Sequence, residues 1–160
     1  MLELLAPAGN LDAVIAAVQN GADAVYMGFG DGFNARRSAD NFTRESFAKA
    51  VRYCHIRGCK VYVTLNTLVG DREMDAAAAL AQQASDAGAD AILVQDLGLA
   101  RVLRAALPDI PLHASTQMSI HNLAGVEAAA EMGITRAVLA RELSLEQIRF
   151  ISQHASIETE

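Results

Sequence analysis

No lysine- or arginine-rich block occurs in this sequence, no apolar run approaches the length of a membrane span, and no glycine fingerprint follows the first apolar segment. The first absence removes the electrostatic footprint by which a protein holds nucleic acid unaided, and the net charge of −6 describes an ordinary soluble acidic protein. The second leaves no transmembrane helix, so no membrane partner is expected. The N-terminus, Met1-Leu2-Glu3-Leu4-Leu5-Ala6-Pro7, lacks a basic leader and meets an acid at once. A signal peptide is therefore not expected, and the cytoplasm is the expected compartment. The third absence, with Pro7-Ala8-Gly9-Asn10 in place of GxGxxG, takes the main support from a dinucleotide-binding fold.

Cysteine is scarce as well. Cys54 and Cys59 are the only two, five positions apart, where a helical pattern hands over to a strand pattern. They read as small buried hydrophobes in a reducing compartment rather than as a metal or redox pair, which would show CxxC spacing or further partners. HExxH, P-loop and EF-hand patterns are also missing, so no complete metal or nucleotide site is expected here and no cofactor is assigned to the chain.

What is present is a repeat. A helical pattern ends at glycine, a polar residue follows, and an apolar run begins: Gly21-Ala22-Asp23-Ala24-Val25-Tyr26-Met27, Gly58 to Thr64, Gly88-Ala89-Asp90-Ala91-Ile92-Leu93-Val94 and Gly133 to Leu139. Each glycine suits the left-handed conformation that ends a helix. Amphipathic stretches of helical period lie between the runs, at roughly 10–20, 43–57, 72–87, 97–107, 122–132 and 144–154. Asn10, Thr43, Asp71 and Ser144 are the expected helix starts, the last supported by Glu146 and Gln147. Further strands fit at Leu2 to Ala6 and Leu112 to Thr116, and Ile157 opens a possible seventh.

Strict βα alternation demands a parallel sheet with right-handed crossovers. In the third strand Val61, Val63 and Leu65 alternate with Tyr62, Thr64 and Asn66, one face apolar and the other mixed. An open doubly wound sheet would be apolar on both faces, so the expected fold is α/β, a (β/α)₈ TIM-type barrel. At 160 residues the chain supplies about six βα units and is expected to be the N-terminal part, residues 1–160, of a single barrel domain that is incomplete at its C-terminus. The natural chain is expected to continue past Glu160, and the piece alone to self-associate through its open strand edges.

The same alternation puts Tyr26, Asn66, Gln95, Ser115, Gln117 and Arg141 inside the barrel or on its rim, at the C-terminal strand ends where barrel enzymes place their chemistry. In Leu112-His113-Ala114-Ser115-Thr116-Gln117, His113, Ser115 and Gln117 share one face, a polar ladder suited to a ligand or to a buried network. A Ser–His couple there lacks the order of nucleophile, base and orienting acid. Gln95 goes to the site and Asp96 to the helix cap; His121 and Asn122 read as loop and cap residues. Asn66 either faces a ligand or caps its loop. The longest loop, Gly28 to Asn41, carries Arg36 and Arg37, a guanidinium pair that binds a carboxylate or phosphate or stays solvated. Arg141 with Glu142 after the sixth strand is an anion clamp or a rim salt bridge.

Ala6-Pro7-Ala8-Gly9-Asn10, Gly21 to Gly28, Phe33-Asn34-Ala35-Arg36, Gln95-Asp96-Leu97-Gly98, His113 to Gln117 and Ala140-Arg141-Glu142-Leu143-Ser144 together resemble the start of one family. It is the collagenase-like peptidase family of unassigned catalytic type, U32. The resemblance covers essentially the whole chain. It implies a barrel followed, beyond residue 160, by cysteines that in relatives are thought to hold an iron–sulfur cluster. It also implies divided activities: proteases acting on collagen-like peptides, and proteins that assist oxygen-independent hydroxylation of RNA bases or of a quinone precursor. Prephenate is implicated as a hydroxyl source in some RNA-modifying members, and Arg36 and Arg141 suit such a dicarboxylate.

Three functions follow as expectations. In the first, this barrel binds a small anionic co-substrate for an iron–sulfur-dependent hydroxylation of RNA or quinone. The second is a protease, whose nucleophile, metal-bound water or carboxylate pair is not evident and whose catalytic residues stay unassigned. The third is a non-catalytic scaffold subunit of a modifying complex. The chain by itself is expected to be inactive.

Overall fold

The computed structural model describes residues 2–30, 32–35 and 41–160. Seven parallel strands, β1 (Leu5–Pro7), β2 (Ala24–Met27), β3 (Lys60–Leu65), β4 (Ala91–Val94), β5 (Leu112–Ala114), β6 (Arg136–Ala137) and β7 (Glu158–Thr159), lie side by side in chain order. Six α-helices return between them: α1 (Leu11–Gln19), α2 (Arg44–His55), α3 (Met74–Asp86), α4 (Leu97–Ala106), α5 (Leu123–Glu131) and α6 (Leu145–His154). No helix among the described residues is long and apolar enough to cross a membrane.

The sheet is curled. Flat, it would hold β1 and β6 roughly 24 Å apart at about 4.8 Å per strand. Instead Leu5 of β1 and Val138 just after β6 pack into one cluster with Ala24, Tyr26, Tyr62, Ala91 and Leu93. This concave face is the barrel interior. Outward-facing Val61, Val63 and Leu65 of β3 are fully buried under the helices, each contributing about 1.5–3 kcal/mol by leaving water. The alternation read in β3 is thus the alternation of the two sides of the barrel wall.

Local chemistry sets the boundaries. Asn10, Thr43, Asp96, Asn122 and Ser144 each accept a backbone N–H from the first turn of their helix, and Ser144 with Gln147 forms a reciprocal capping box. Asp71 does not cap α3. The helix begins two residues later than that cap would require, with Glu73 at the boundary and its carboxylate accepting from the Gly70 N–H at 2.9 Å. Gly88 and Gly133, at φ +96° and +80°, end their helices in the left-handed conformation.

The polar residue after these glycines has a definite task in two of the repeats. Asp23 accepts from the Leu4 N–H at 2.8 Å, and Asp90 from the Val61 N–H at 2.7 Å and from His55 Nε2 at 2.8 Å. Each carboxylate fills a backbone donor at the strand entrance.

Three strands differ from their sequence-based bounds, β6 stopping at Ala137 short of the expected run to Leu139. β1 runs from Leu5 rather than Leu2, which leaves Glu3 free to turn into the interior. β5 stops at Ala114, because Ser115 caps a one-turn 3₁₀ helix over Thr116–Met118. β7 pairs with β6 one residue beyond Ile157. Among the described residues, the outer edges of β1 and β7 take no strand partner.

Candidate functional site at the C-terminal mouth

The mouth is built on the ends of β3, β4 and β5. Asn66 Nδ2 donates to Ser115 Oγ at 3.3 Å, the Gln117 N–H donates to the same oxygen at 3.3 Å, and Gln95 Nε2 donates to the Gln117 carbonyl at 3.4 Å. The Ala35 N–H reaches Asn66 Oδ1 at 3.1 Å, tying the loop after β2 to the same group. That loop doubles back on its strand. Phe29 and Phe42 form a parallel bridge, and Asn34 Nδ2 donates to Asn41 Oδ1 at 3.0 Å directly over Gly28, where a Cβ would meet both amides at 2.1–2.2 Å.

Four of the expected site residues, Asn66, Gln95, Ser115 and Gln117, are therefore brought together. Gln117 joins through its backbone: it sits on the 3₁₀ turn with its side chain exposed, not third on a strand ladder with His113 and Ser115. Tyr26 pairs in register with Tyr62 and lies in the inner apolar cluster, deeper than Asn66. Arg141 and Glu142 are exposed on the rim after β6 and form no ion pair with each other. The Ala140 N–H donates to the Ile120 carbonyl at 2.8 Å, setting Arg141 beside the turn that follows β5. Arg36 and Arg37 lie outside the described residues.

His113 belongs to a different place. Its ring meets the Tyr62 ring edge-on at 4.9 Å in the lower half of the barrel, and its Nδ1 is buried without a partner among the described residues. Burial first, and the neighbouring Arg136 charge second, push its pKa down to about 4, so it is neutral at pH 7.

Below it lies a cluster that the sequence reading had not singled out. The Arg136 guanidinium, 10% exposed, donates to Glu3, which precedes β1, and to Glu158 of β7 at 2.6 and 2.9 Å. Glu3 also accepts from Tyr62 Oη at 2.9 Å and from Lys60 Nζ at 3.0 Å. Burial works to raise the Glu3 pKa, but the bonds from Arg136, Lys60 and Tyr62 outweigh it and hold the carboxyl at about 2. The available sequence signal was a lone arginine at an inward position of a strand, matched by an acid between two leucines.

The cysteines do not fit an iron–sulfur cluster. Both are buried; Cys54 is pushed up to about 12 by burial and by Cys59, and burial raises Cys59 too, so both are thiols rather than the thiolates a cluster needs. Among the described residues no three His, Cys, Asp or Glu side chains gather as a metal site.

The family model for peptidase family U32 matches residues 9–160. The chain belongs to peptidase family U32. Within this family's wider relations it is 43% identical over 152 residues to the 23S rRNA 5-hydroxycytidine C2501 synthase of Escherichia coli, covering 95% of this chain and 22% of that protein. It is 40% identical to the tRNA hydroxylation protein P1 of Bacillus subtilis, covering 99% and 37%. It is 35% identical to a protein named collagenase in Porphyromonas gingivalis, covering 94% and 36%. The U32 chain thus spans between about a fifth and two fifths of these relatives' lengths. A solved U32 peptidase structure superposes with a TM-score of 0.79 at 17% identity, covering 99% of this chain and 67% of that one, a likeness of fold.

Proposed function

We propose that the C-terminal mouth binds a small dicarboxylate of the prephenate class, as the co-substrate of an RNA-base hydroxylation. The observation that carries this is the hydrogen-bond account of Ser115. A hydroxyl has two acceptor sites and one donor. Both acceptor sites of the buried Ser115 Oγ are filled, by Asn66 Nδ2 and by the Gln117 N–H. Its O–H is left to donate, and the complementary ligand atom is an acceptor such as a carboxylate oxygen. Arg141, which has no acidic partner among the described residues, supplies the cation on the rim.

The hydroxylation half of the reading rests on the two relatives named for RNA hydroxylation. In it the residues of this chain bind and orient the co-substrate. An iron–sulfur cluster finds no ligands among them, so no step is assigned to one. The curled sheet is read as seven strands of a (β/α)₈ barrel, the gap between β7 and β1 being filled by an eighth strand or by self-association. A proteolytic reading has two relatives' names behind it, the collagenase and an uncharacterized protease of Methanocaldococcus jannaschii at 34% identity. It lacks a nucleophile–base contact: His113 and Ser115 make no hydrogen bond to each other, and His113 turns toward Tyr62.

Calorimetric titration with prephenate tests the proposal. Arg141→Ala is expected to weaken binding by about 1.5–3 kcal/mol through loss of a charge-assisted bond, and Ser115→Ala to weaken it as well. Unchanged affinity in both variants, with unchanged melting temperatures, would remove the mouth as the anion site.

A further inference from the structure

Beside the mouth, the described residues line a groove of about 520 Å³ between the first turn of α4 and the length of α5 from Gly125 to Met132 just past its end. Its lining brings the amides of Gln95 and Gln117 together with Ala128 and the apolar side chains of Leu97, Met118 and Met132. Leu97 is 61% exposed, so an apolar wall faces water here. A second hollow shares Leu97, Gly98 and Met132 with it and is lined further along α4 by Arg101 and Arg104, and by Glu131 in the last turn of α5. Arg104 is committed to the carbonyls of Leu107, Ile110 and Gly133. Arg101 is exposed and has no acidic partner among the described residues.

We infer that this groove takes one nucleotide of a single-stranded RNA, with its base between the methionine and leucine walls and its phosphate at Arg101. The inference rests on the RNA reading above and names the place where that substrate enters. Three features run along the groove in the order a nucleotide needs. The inner end offers amides, which read the hydrogen-bonding edge of a base: Gln95 spends its Nε2 on the Gln117 carbonyl and keeps its Oε1 as an acceptor. The middle offers flat apolar contact, with thioethers that pack well on aromatic rings. The outer end offers a guanidinium for phosphate; Glu131 lines the same hollow and forms no ion pair with Arg101. The volume lies in the range of about 300–1,000 Å³ typical of small-ligand pockets. A base seated there would lie next to the co-substrate group at Asn66 and Ser115, since Gln95 and Gln117 border both.

The test uses a fluorescent single-stranded RNA octamer containing cytidine and uridine, read by anisotropy at two salt concentrations. Ala128→Phe fills the groove from an exposed position on α5, and Arg101→Ala removes the phosphate contact. Expected are a tenfold or larger loss of RNA affinity for Ala128→Phe, a threefold to tenfold loss for Arg101→Ala with a shallower salt dependence, and unchanged prephenate affinity in both. Wild-type RNA affinity in a folded Ala128→Phe protein would overturn the inference while leaving the dicarboxylate reading intact. So would a variant whose change is confined to oligomeric state, which would make the groove a contact between copies. Loss of prephenate binding in Arg141→Ala and Ser115→Ala alongside intact RNA binding in Ala128→Phe would separate the two sites in the same sense.

Discussion

Arg136→Ala is expected to destabilise the domain by about 3–5 kcal/mol, the usual cost of stranding a buried charge by removing its partner. The guanidinium is 10% exposed, and Glu3, its deeper partner, is 21% exposed, whereas Glu158 is 69% exposed and can turn to water. Most of the loss therefore comes from Glu3, which would keep only Lys60 and Tyr62. The same bonds connect the segment before β1 to β6 and β7, so the residue also fixes the curl of the sheet. Urea unfolding is the measurement. A double variant, Arg136→Met with Glu3→Gln, should recover much of the loss, because a neutral pair strands no charge. A change below about 1 kcal/mol in Arg136→Ala would show that the cluster is ornamental to the fold.

Stability is expected to fall with acid in two steps. The folded-state pKa of His113 is depressed from 6.5 to about 4, so the unfolded chain takes up its proton first. The contribution is complete above pH 6.5 and is lost as the pH falls through 4, amounting to about 3 kcal/mol for a shift of this size. Glu3, lowered from 4.5 to about 2, behaves with the same sign in a lower window: its contribution is present above pH 4.5 and disappears toward pH 2. His113→Gln should abolish the slope between pH 6.5 and 4 while leaving the lower limb. An unaltered upper slope in that variant would assign the transition to another group.

The fold was legible because the repeat is local. Glycine, a small polar residue and an alternating run sit within a few positions of each other, and β3 states in its own alternation which side faces the helices. Asn66 and Ser115 were legible for the same reason, being inward positions at strand ends. Gln117 was harder, since the serine that begins the 3₁₀ turn breaks the period of the strand two residues earlier. Asp71 lost its expected cap to a later helix start, a boundary that propensity fixes weakly. The pairing at the heart of the Arg136 cluster was not legible. Its central contact joins residues 133 positions apart, and only the curl of the whole sheet brings them together. A sequence pattern marks an arginine as odd in a strand but does not name the glutamate that receives it.

The measurement that bears most directly on the central claim is mapping of prephenate onto the backbone and side-chain amides by ¹H–¹⁵N correlation spectra. The mouth reading predicts that the largest shifts fall on Asn66, Gln95, Ser115 and Gln117 and on the backbone near Arg141, with little change around Lys60 and Arg136. Shifts centred on the Lys60–Arg136 end of the barrel, or none at millimolar ligand, would contradict it.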